Sequence, residues 1–244
     1  MISATILTKN SEKHLKKVLE ALKSLDEVVL LDTGSTDNTL EIAKNFPNTS
    51  LYTSEFLGFG QVHNIAANLA KHDWILSIDS DEIISSKLLQ EIQNSKLNKR
   101  CVYSFPRLNY YCNKQIKWCG WYPERVTRLY NKTTTKFSED KVHEKVLKVN
   151  MSEIKLTNPV HHYPYSSIAD FLTKMQHYST LFAEQNKDKK KSSVFKAISH
   201  GLFAFFKSYI LKRGFLGGYE GFLISTYNGN TAFYKYLKLF EKIT

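Results

Sequence analysis

The sequence predicts an α/β fold, with a parallel sheet in the first part of the chain, a mixed-sheet region in the middle and helices at the end. In residues 1–100, short apolar runs alternate with amphipathic segments roughly every 20–25 residues, the pattern of βαβ units in a parallel sheet covered by helices on both faces. Residues 101–165 lose the helical period and are rich in Tyr, Trp, Pro and Asn, and helical periodicity returns from residue 166. The length of 244 residues fits one large domain or one domain with an appendage.

The first hundred residues divide into four predicted strands and four predicted helices. The strands are short runs of apolar and β-branched residues, and the helices carry apolar residues at helical spacing. Asn10 or Ser11 can cap the first helix, and the second is expected to start near Thr36. The predicted strands are 4–7, 28–31, 51–53 and 74–78, and the last two helices are 62–70 and 87–94.

The remaining chain predicts strands at 102–105, 126–130 and 142–149, followed by helices. Ser167 and Asp170 have the spacing of a capping box at the start of the first of these helices. Two further helices are expected at 194–211 and 231–240, joined by a glycine-rich turn that contains Gly214, Gly217, Gly218 and Gly221.

The positive charge is concentrated in the second part of the chain. The formal net charge is +11, but residues 1–100 hold 11 basic and 13 acidic side chains, whereas residues 166–244 hold 12 basic and 5 acidic ones. This asymmetry predicts an anionic partner, which can be nucleic acid, an acidic membrane surface or a phosphorylated substrate. Three cysteines without a CxxC pair and a start without a signal-peptide pattern predict a cytoplasmic protein.

Polar residues follow three of the predicted strands, where a parallel α/β sheet binds its ligands. These segments are Thr8-Lys9-Asn10, Asp32-Thr33-Gly34-Ser35 and Asp79-Ser80-Asp81-Glu82. Asp79 and Asp81 can converge on one divalent cation that phosphate oxygens complete, as is common for Mg²⁺, although acidic residues here could also cap the next helix.

Two other motifs, an EF-hand loop and an aspartic-protease signature, are excluded by the residues around them. An EF-hand loop would need Asn, Asp or Gly where Ile83 and Ile84 stand. The stretch Asp32-Thr33-Gly34 is similar to an aspartic-protease signature, but that chemistry needs a second such motif or a dimer, in an all-β fold, and here the motif opens a helix.

The four N-terminal segments, taken in order and spacing, resemble family 2 glycosyltransferases of GT-A fold. They are 5–10, 31–39, the turn 60–64 and 79–82. Later motifs resemble the bacterial lipopolysaccharide inner-core β-1,4-glucosyltransferase subgroup. These motifs are Gly120-Trp121-Tyr122-Pro123, Arg128-Leu129-Tyr130, Val142-His143-Glu144, His162-Tyr163 and the segment 212–218.

The resemblance implies a nucleotide-sugar site in residues 1–100. Asp32 would accept a hydrogen bond from uracil or ribose of a UDP-sugar, although its alternative role is a turn or helix cap. Asp79 would contact the ribose, and Asp81 would bind Mg²⁺ or Mn²⁺ at the diphosphate, with His162 or its neighbour His161 completing the metal site. Where many relatives carry Arg or Lys before Asn64, this chain has His63. The implied donor-binding residues are Thr8, Asn10, Asp32, Ser35, Asn64, Asp79 and Ser80.

The resemblance also places the catalytic base and the acceptor in residues 101–165. An inverting transfer needs one carboxylate to take the proton of the acceptor hydroxyl, and Glu144 is the first candidate and Glu124 the second. The alternative role of either residue is a surface salt bridge. Aromatic rings and arginines suit a sugar platform with phosphate anchors, and the implied acceptor-binding residues are Trp118, Trp121, Tyr122, Arg125 and Arg128.

Together these points predict a metal-dependent inverting enzyme that moves a hexose, with glucose expected, from a UDP-sugar to a heptose- and phosphate-containing lipid-linked core saccharide. Residues 166–244, basic and aromatic, are expected to meet the inner membrane surface, to pack onto the catalytic domain or to form a dimer contact. No nucleic-acid-binding signature accompanies the charge. The alternatives are a metal-dependent phospho- or nucleotidyltransferase and a non-catalytic nucleic-acid-binding protein.

Overall fold

A computed structural model of the protein describes residues 1–140 and 144–243. The chain forms two compact units. The first contains residues 1–107 and 124–162, and the second contains residues 108–123 and the described residues from 163 onward. The three-part division expected from the sequence stays a prediction. In the structure, residues 108–123 belong to the second unit together with the C-terminal helices.

The sheet has a parallel part followed by a mixed part. Strands β1, β2, β3 and β4 pair in parallel in the order β3-β2-β1-β4, and the sheet continues as β8-β6-β10-β5, with β8 antiparallel to both β4 and β6. The strands are β1 (Ile2–Thr8), β2 (Glu27–Asp32), β3 (Thr49–Thr53), β4 (Trp74–Asp79), β5 (Glu82–Ile84), β6 (Cys101–Tyr111), β7 (Lys114–Gln115), β8 (Arg125–Asn131), β9 (Ser152–Lys155) and β10 (Val160–Tyr165).

Helices cover both faces of the parallel part. They are α1 (Glu12–Ala21), α2 (Thr39–Lys44), α3 (Phe59–Leu69) and α4 (Ser86–Asn94). Because side chains alternate along a strand, Val28 and Leu30 of β2 pack in one apolar cluster with α1 and α4, whereas Val29 and Leu31 pack in another with α3. The predicted α/β architecture is confirmed, with its parallel sheet, mixed extension and C-terminal helices.

The second unit consists mainly of helices α5 (Ile168–Asn186), α6 (Val194–Phe206) and α7 (Gly218–Ile243), with a π-helical turn at Lys207–Leu211 and a 3₁₀ turn at Gly214–Gly217. The predicted capping box is present, since the Ser167 side chain accepts from the Asp170 N–H and the Asp170 carboxylate accepts from the Ser167 N–H. Among the described residues, no helix has both the length and the apolar composition needed to cross a membrane.

Two expectations from the sequence were wrong, one in each unit. Residues 141–143 lie outside the described residues, and the rest of the predicted strand 142–149 forms only an isolated bridge between Val146 and Phe137. The last helix starts at Gly218 rather than at Thr231, so Gly221 is inside a helix and not in a turn. Gly221 fits there because its lack of a Cβ lets the backbone of Gly214 come close.

Candidate active site

The register of the parallel strands brings the predicted polar segments to one edge of the sheet. Thr8 of β1 lies opposite Asp32 of β2, and Leu7 lies opposite Asp79 of β4. The ends of three parallel strands therefore present Thr8, Asp32 and Asp79 together, as the α/β pattern predicts.

Asp32 organises the turn that follows β2. Its Oδ1 accepts hydrogen bonds from Thr8 Oγ1 (3.0 Å) and Ser35 Oγ (2.5 Å), and its Oδ2 accepts from the Gly34 and Ser35 N–H groups (both 2.9 Å). Burial alone would raise the pKa of Asp32, but these bonds outweigh it and hold the pKa below its ordinary value. The residue is only 2% exposed and its acceptor sites are used within the protein, so here it acts as a turn cap. A direct contact with a nucleoside stays a prediction.

Asn10 and Ser80 extend this network to the start of α1. Asn10 has a φ of 52°, and its side-chain oxygen accepts from the Thr36 N–H at 2.7 Å. Its own N–H donates to Ser35 Oγ at 2.9 Å, and Ser11 Oγ donates to Ser80 Oγ at 2.8 Å. The loops after β1, β2 and β4 are thus tied to one another by hydrogen bonds.

Asp79 and Glu82 are balanced by two arginines from the antiparallel strands. Arg128 Nη2 donates to Asp79 Oδ2 at 2.7 Å, and Arg107 Nη1 donates to Glu82 Oε1 at 3.2 Å. Burial and the neighbouring Asp79 carboxylate raise the pKa of Glu82 above its ordinary value. The sequence suggested Arg128 as an acceptor contact, whereas the structure gives it an internal partner.

Arg107 also holds Glu124, the second candidate for the catalytic base. Its Nε and Nη2 atoms donate to the two carboxylate oxygens of Glu124 at 2.9 and 2.6 Å. A bidentate guanidinium stabilises the ionised carboxylate and reduces its tendency to accept a proton. The assignment of Glu124 or Glu144 as the base stays a prediction.

Asp81 and His162 form a pair that can hold a divalent cation. His162 of β10 lies opposite Glu82 of β5, and its Nε2 is 3.5 Å from Asp81 Oδ1. Burial alone would lower the pKa of His162, but the Asp81 carboxylate raises it. Ligands about 2.1 Å from one ion can lie roughly 3–4 Å apart, so an oxygen and a nitrogen at this separation fit Mg²⁺ or Mn²⁺.

The strand register also distinguishes between the two histidines that were candidates for the metal site. His161 lies opposite Ile83, and adjacent residues of a strand point to opposite faces, so His162 is the one that faces Asp81. In the part of the chain that the structure describes, no group of three or more His, Cys, Asp or Glu residues is placed to hold a metal ion. The remaining ligands of a cation here would have to come from a bound phosphate or water.

Asn64 fixes the segment around Phe137 by two hydrogen bonds. Its Nδ2 donates to the Phe137 carbonyl at 3.0 Å and its Oδ1 accepts from the Phe137 N–H at 2.9 Å. Phe137 in turn bridges to Val146, and the Ser138 N–H donates to the Lys145 carbonyl at 2.8 Å. The amide of Asn64 is therefore a clamp, and its contact with the donor stays a prediction.

His63 lies beside Glu144 as a neutral imidazole. Its ring stacks on Phe137 at 4.3 Å between centroids, and its Nε2 is 3.9 Å from Glu144 Oε1. Burial, and then the positive charge of Arg128, lower the pKa of His63 to about 4. The approach to Glu144 is for that reason not an ion pair at neutral pH, and the Glu144 side chain is only 15% exposed.

The other implied acceptor residues divide between the two units. Trp118, Trp121 and Tyr122 belong to the second unit, where Trp121 packs against Tyr165 with ring centroids 5.7 Å apart. Arg125 belongs to the first unit, and its Nη1 donates to the Ser104 and Leu156 carbonyls. The acceptor assignments of these residues stay predictions.

Comparisons with known proteins identify the family to which the chain belongs. Residues 3–151 match the family described as Glycosyl transferase family 2. The chain is 31% identical to an uncharacterized glycosyltransferase of Rickettsia felis, over 99% of this chain and 90% of that protein. It is 24% identical to the lipopolysaccharide core biosynthesis glycosyltransferase LpsC of Rhizobium meliloti, over 99% of this chain and 92% of that protein. The chain belongs to glycosyl transferase family 2 and is a glycosyltransferase.

A solved structure supports the fold. The mannosyltransferase PcManGT of Pyrobaculum calidifontis, solved with GDP-Man and Mn²⁺, aligns with a TM-score of 0.55 at 14% identity, over 98% of this chain and 86% of that one. The α/β sheet described above is thus a GT-A fold, as the resemblance implied.

Two features of the site were not predicted from the sequence: Arg107 as the partner of Glu82, and the ion pair of Arg128 with Asp79. Arg107 and Arg128 carry their charges on β6 and β8, and their pairing with Glu82 and Asp79 depends on antiparallel registers that no local motif encodes. His63 was noted only as a departure from relatives. Its position one residue before Asn64, near the start of a helix, is the only sequence signal of its role.

We expect His63 to stay neutral throughout the physiological pH range. In an NMR titration its ring signals, assigned with His63→Gln, should change with a midpoint near pH 4 rather than near the ordinary 6.5. Below pH 6.5 the unfolded chain takes up a proton at His63 that the folded chain does not. The stability of the wild type relative to His63→Gln should therefore fall as the pH drops from 7 to 5. A midpoint between 6 and 7 would contradict the buried, neutral assignment.

We expect Asn64→Ala to release Phe137 from α3. The Phe137 amide should then exchange its hydrogen faster, because it loses its hydrogen-bond acceptor. Asn64→Asp keeps an acceptor for this N–H and should protect it better than Asn64→Ala does. The matched control is Asn68→Ala on the same helix, at an exposed position, which should leave the exchange unchanged. Equal protection of Phe137 in all variants would show that Asn64 is not the clamp.

Proposed function

We propose that this glycosyltransferase moves a hexose, with glucose expected, from a UDP-sugar to a heptose- and phosphate-containing lipid-linked core saccharide, with inversion at the anomeric carbon. The new bond joins the acceptor oxygen to the anomeric carbon while the bond to the diphosphate oxygen breaks and UDP leaves. The acceptor proton passes to a carboxylate of the enzyme.

The observation that carries the proposal is the convergence of Thr8, Asp32 and Asp79 with the Asp81–His162 pair at one edge of the sheet. Hydrogen bonds between the loops after β1, β2 and β4 order this edge before any ligand binds. A nucleoside diphosphate suits such an edge because its base and ribose need ordered polar groups and its phosphates need a cation.

Asp81 and His162 would hold the cation at the diphosphate. A divalent ion bound there would stabilise the negative charge that develops on the leaving UDP. The protein's contribution is the fixed pair itself, since Arg128 and Arg107 offset the charge of Asp79 and Glu82 and leave Asp81 to face His162.

Glu144 is the proposed catalytic base. Glu124 has both oxygens bound by Arg107, whereas Glu144 lies next to the neutral ring of His63 on a segment that Asn64 clamps. A base must accept a proton within hydrogen-bond reach of the acceptor, and a carboxylate on a clamped segment beside a neutral ring suits that role. His63 and Asn64 are positioning residues in this proposal.

The acceptor class is supported by the full-length similarity to LpsC, a lipopolysaccharide core biosynthesis glycosyltransferase. With a lipid-linked acceptor, the enzyme would act at the inner face of the cytoplasmic membrane. The family membership favours glycosyl transfer over phospho- or nucleotidyl transfer and over nucleic-acid binding.

We expect Asp81→Asn to remove metal-dependent turnover. Loss of one ligand of a two-ligand site should lower kcat for UDP release by about a hundredfold or more with Mn²⁺ or Mg²⁺ present. Asp73→Asn is the matched control, because Asp73 lies just before β4, at the opposite end of that strand from Asp79, and pairs with exposed Lys99. Near wild-type activity of folded Asp81→Asn would contradict the metal assignment. The assay should compare UDP-glucose, UDP-galactose, GDP-mannose and ADP-glucose to identify the donor.

We expect Glu144→Gln to abolish transfer while UDP binding persists. Loss of a general base should lower kcat by about 10²- to 10⁴-fold. Glu139→Gln is the surface control on the same segment, because Glu139 is exposed and pairs with Lys136. Glu124→Gln should instead reduce stability, because it removes a charged partner of Arg107. If Glu124→Gln removes transfer in a folded protein and Glu144→Gln does not, the base is Glu124.

A further inference from the structure

Helix α6 in the second unit is apolar on two opposite faces. One face is buried through Ala197 and Gly201. The other is exposed although it carries large apolar side chains: Phe195 is 81% exposed, Leu202 68% and Phe203 59%. A helix of a globular protein normally turns its large apolar side chains toward the core, whereas α6 exposes several of them.

The buried face is fully used in packing within the unit. A Cβ at Gly201 would lie 3.0 Å from Phe233 Cβ, and a Cβ at Gly229 would lie 3.1 Å from Phe205 Cβ, so two glycines allow α6 and α7 to pack closely. The exposed face is not needed for this contact. Its apolar character needs a different physical reason.

The exposed face continues beyond α6 into the two turns and the start of α7. Ring contacts connect Phe205 of α6 with Tyr209, and Tyr209 with Phe215 and Phe222, at centroid distances of 5.4, 6.4 and 6.1 Å. We call this surface the aromatic face. Its exposed members beyond α6 are Ile210, Leu211, Phe215, Leu216, Tyr219 and Phe222.

The chain around the aromatic face carries mainly positive charge, and its acidic residue Glu220 is paired with Lys114. Residues 189–219 contain no Asp or Glu and seven basic residues: Lys189, Lys190, Lys191, Lys196, Lys207, Lys212 and Arg213. None of the seven forms an ion pair within residues 1–140 and 144–243. A second copy of the chain would bring the same positive charge against this surface, so the charge favours an anionic partner with an apolar interior.

We propose that the aromatic face docks on a bilayer surface that contains anionic lipids. The 13-residue α6 is about 20 Å long, shorter than the roughly 30 Å hydrocarbon core, so it matches a position parallel to the surface. The apolar side chains enter the headgroup boundary while the lysines meet lipid phosphates. This deepens the proposed action on a lipid-linked acceptor, but it rests on residues 189–222 and needs no turnover for its test.

The test is cosedimentation of the full chain with vesicles of phosphatidylcholine alone or mixed with phosphatidylglycerol. Wild type should bind the anionic vesicles and bind less at high salt, because salt screens the lysines. The triple variant Phe195→Ser, Leu202→Ser, Phe203→Ser should lose at least about tenfold in the partition coefficient, because three apolar side chains no longer leave water. It should fold, since all three side chains are exposed.

The charge is tested separately with Lys207→Gln, Lys212→Gln, which should weaken binding to anionic vesicles by about fivefold per lysine. Matched controls are Ile168→Ser, Leu172→Ser on α5, whose side chains are exposed outside the aromatic face, and Lys16→Gln, Lys17→Gln on α1. Both controls should bind as the wild type does.

Two results would overturn the proposal. One is wild-type protein that stays in solution with every vesicle, and the other is a triple variant that binds as tightly as the wild type. A dimer of the wild type that the triple variant cannot form, without vesicle binding, would assign the aromatic face to a second copy instead. UDP release to a water-soluble acceptor should survive in the triple variant, so failure here leaves the transferase assignment intact.

Discussion

The ion pair between Arg128 and Asp79 is the interaction on which the active edge depends. Arg128 is almost fully buried on β8, and Asp79 ends β4, so the pair fixes an antiparallel strand against the last parallel strand at the first aspartate of the motif. A buried guanidinium without a partner is costly, which ties the position of β8 to the presence of Asp79. Glu82 is held by Arg107, so the edge keeps several carboxylates close together, and Asp81 approaches His162 at 3.5 Å.

Helix α3 both packs against the parallel sheet and holds the segment around Phe137. It packs under the sheet through Val62 and Ala66, and its neighbouring residues His63 and Asn64 reach the segment around Phe137. The core that stabilises the parallel sheet therefore also positions Glu144. His63 can be buried there because it is neutral, since a charged imidazole would face the cost of burial and the nearby Arg128.

The sequence predicted the elements whose signals are local. The four parallel strands, the helices on both faces and the capping box at Ser167 follow from periodicity and cap chemistry, and the structure has them. What the sequence could not provide depends on pairing between distant segments. The opposition of His162 and Glu82 requires the short strand β5, whose three residues are too few for a period, and the clamp at Asn64 requires contact with a segment more than seventy residues away. Arg128 illustrates the same limit, because its residue type suits both a phosphate anchor and an internal ion pair, and only burial distinguishes them.

The second unit carries the aromatic face, and the first unit holds the candidate active site. The cation site at Asp81 and His162 is the feature of the first unit to test first. The most direct measurement is anomalous diffraction from crystals of the protein grown with UDP and Mn²⁺. We expect one manganese peak about 2.1 Å from a carboxylate oxygen of Asp81 and within bonding distance of His162 Nε2, with phosphate oxygens completing the site. A manganese peak bound elsewhere, or UDP bound with no metal at Asp81, would contradict it.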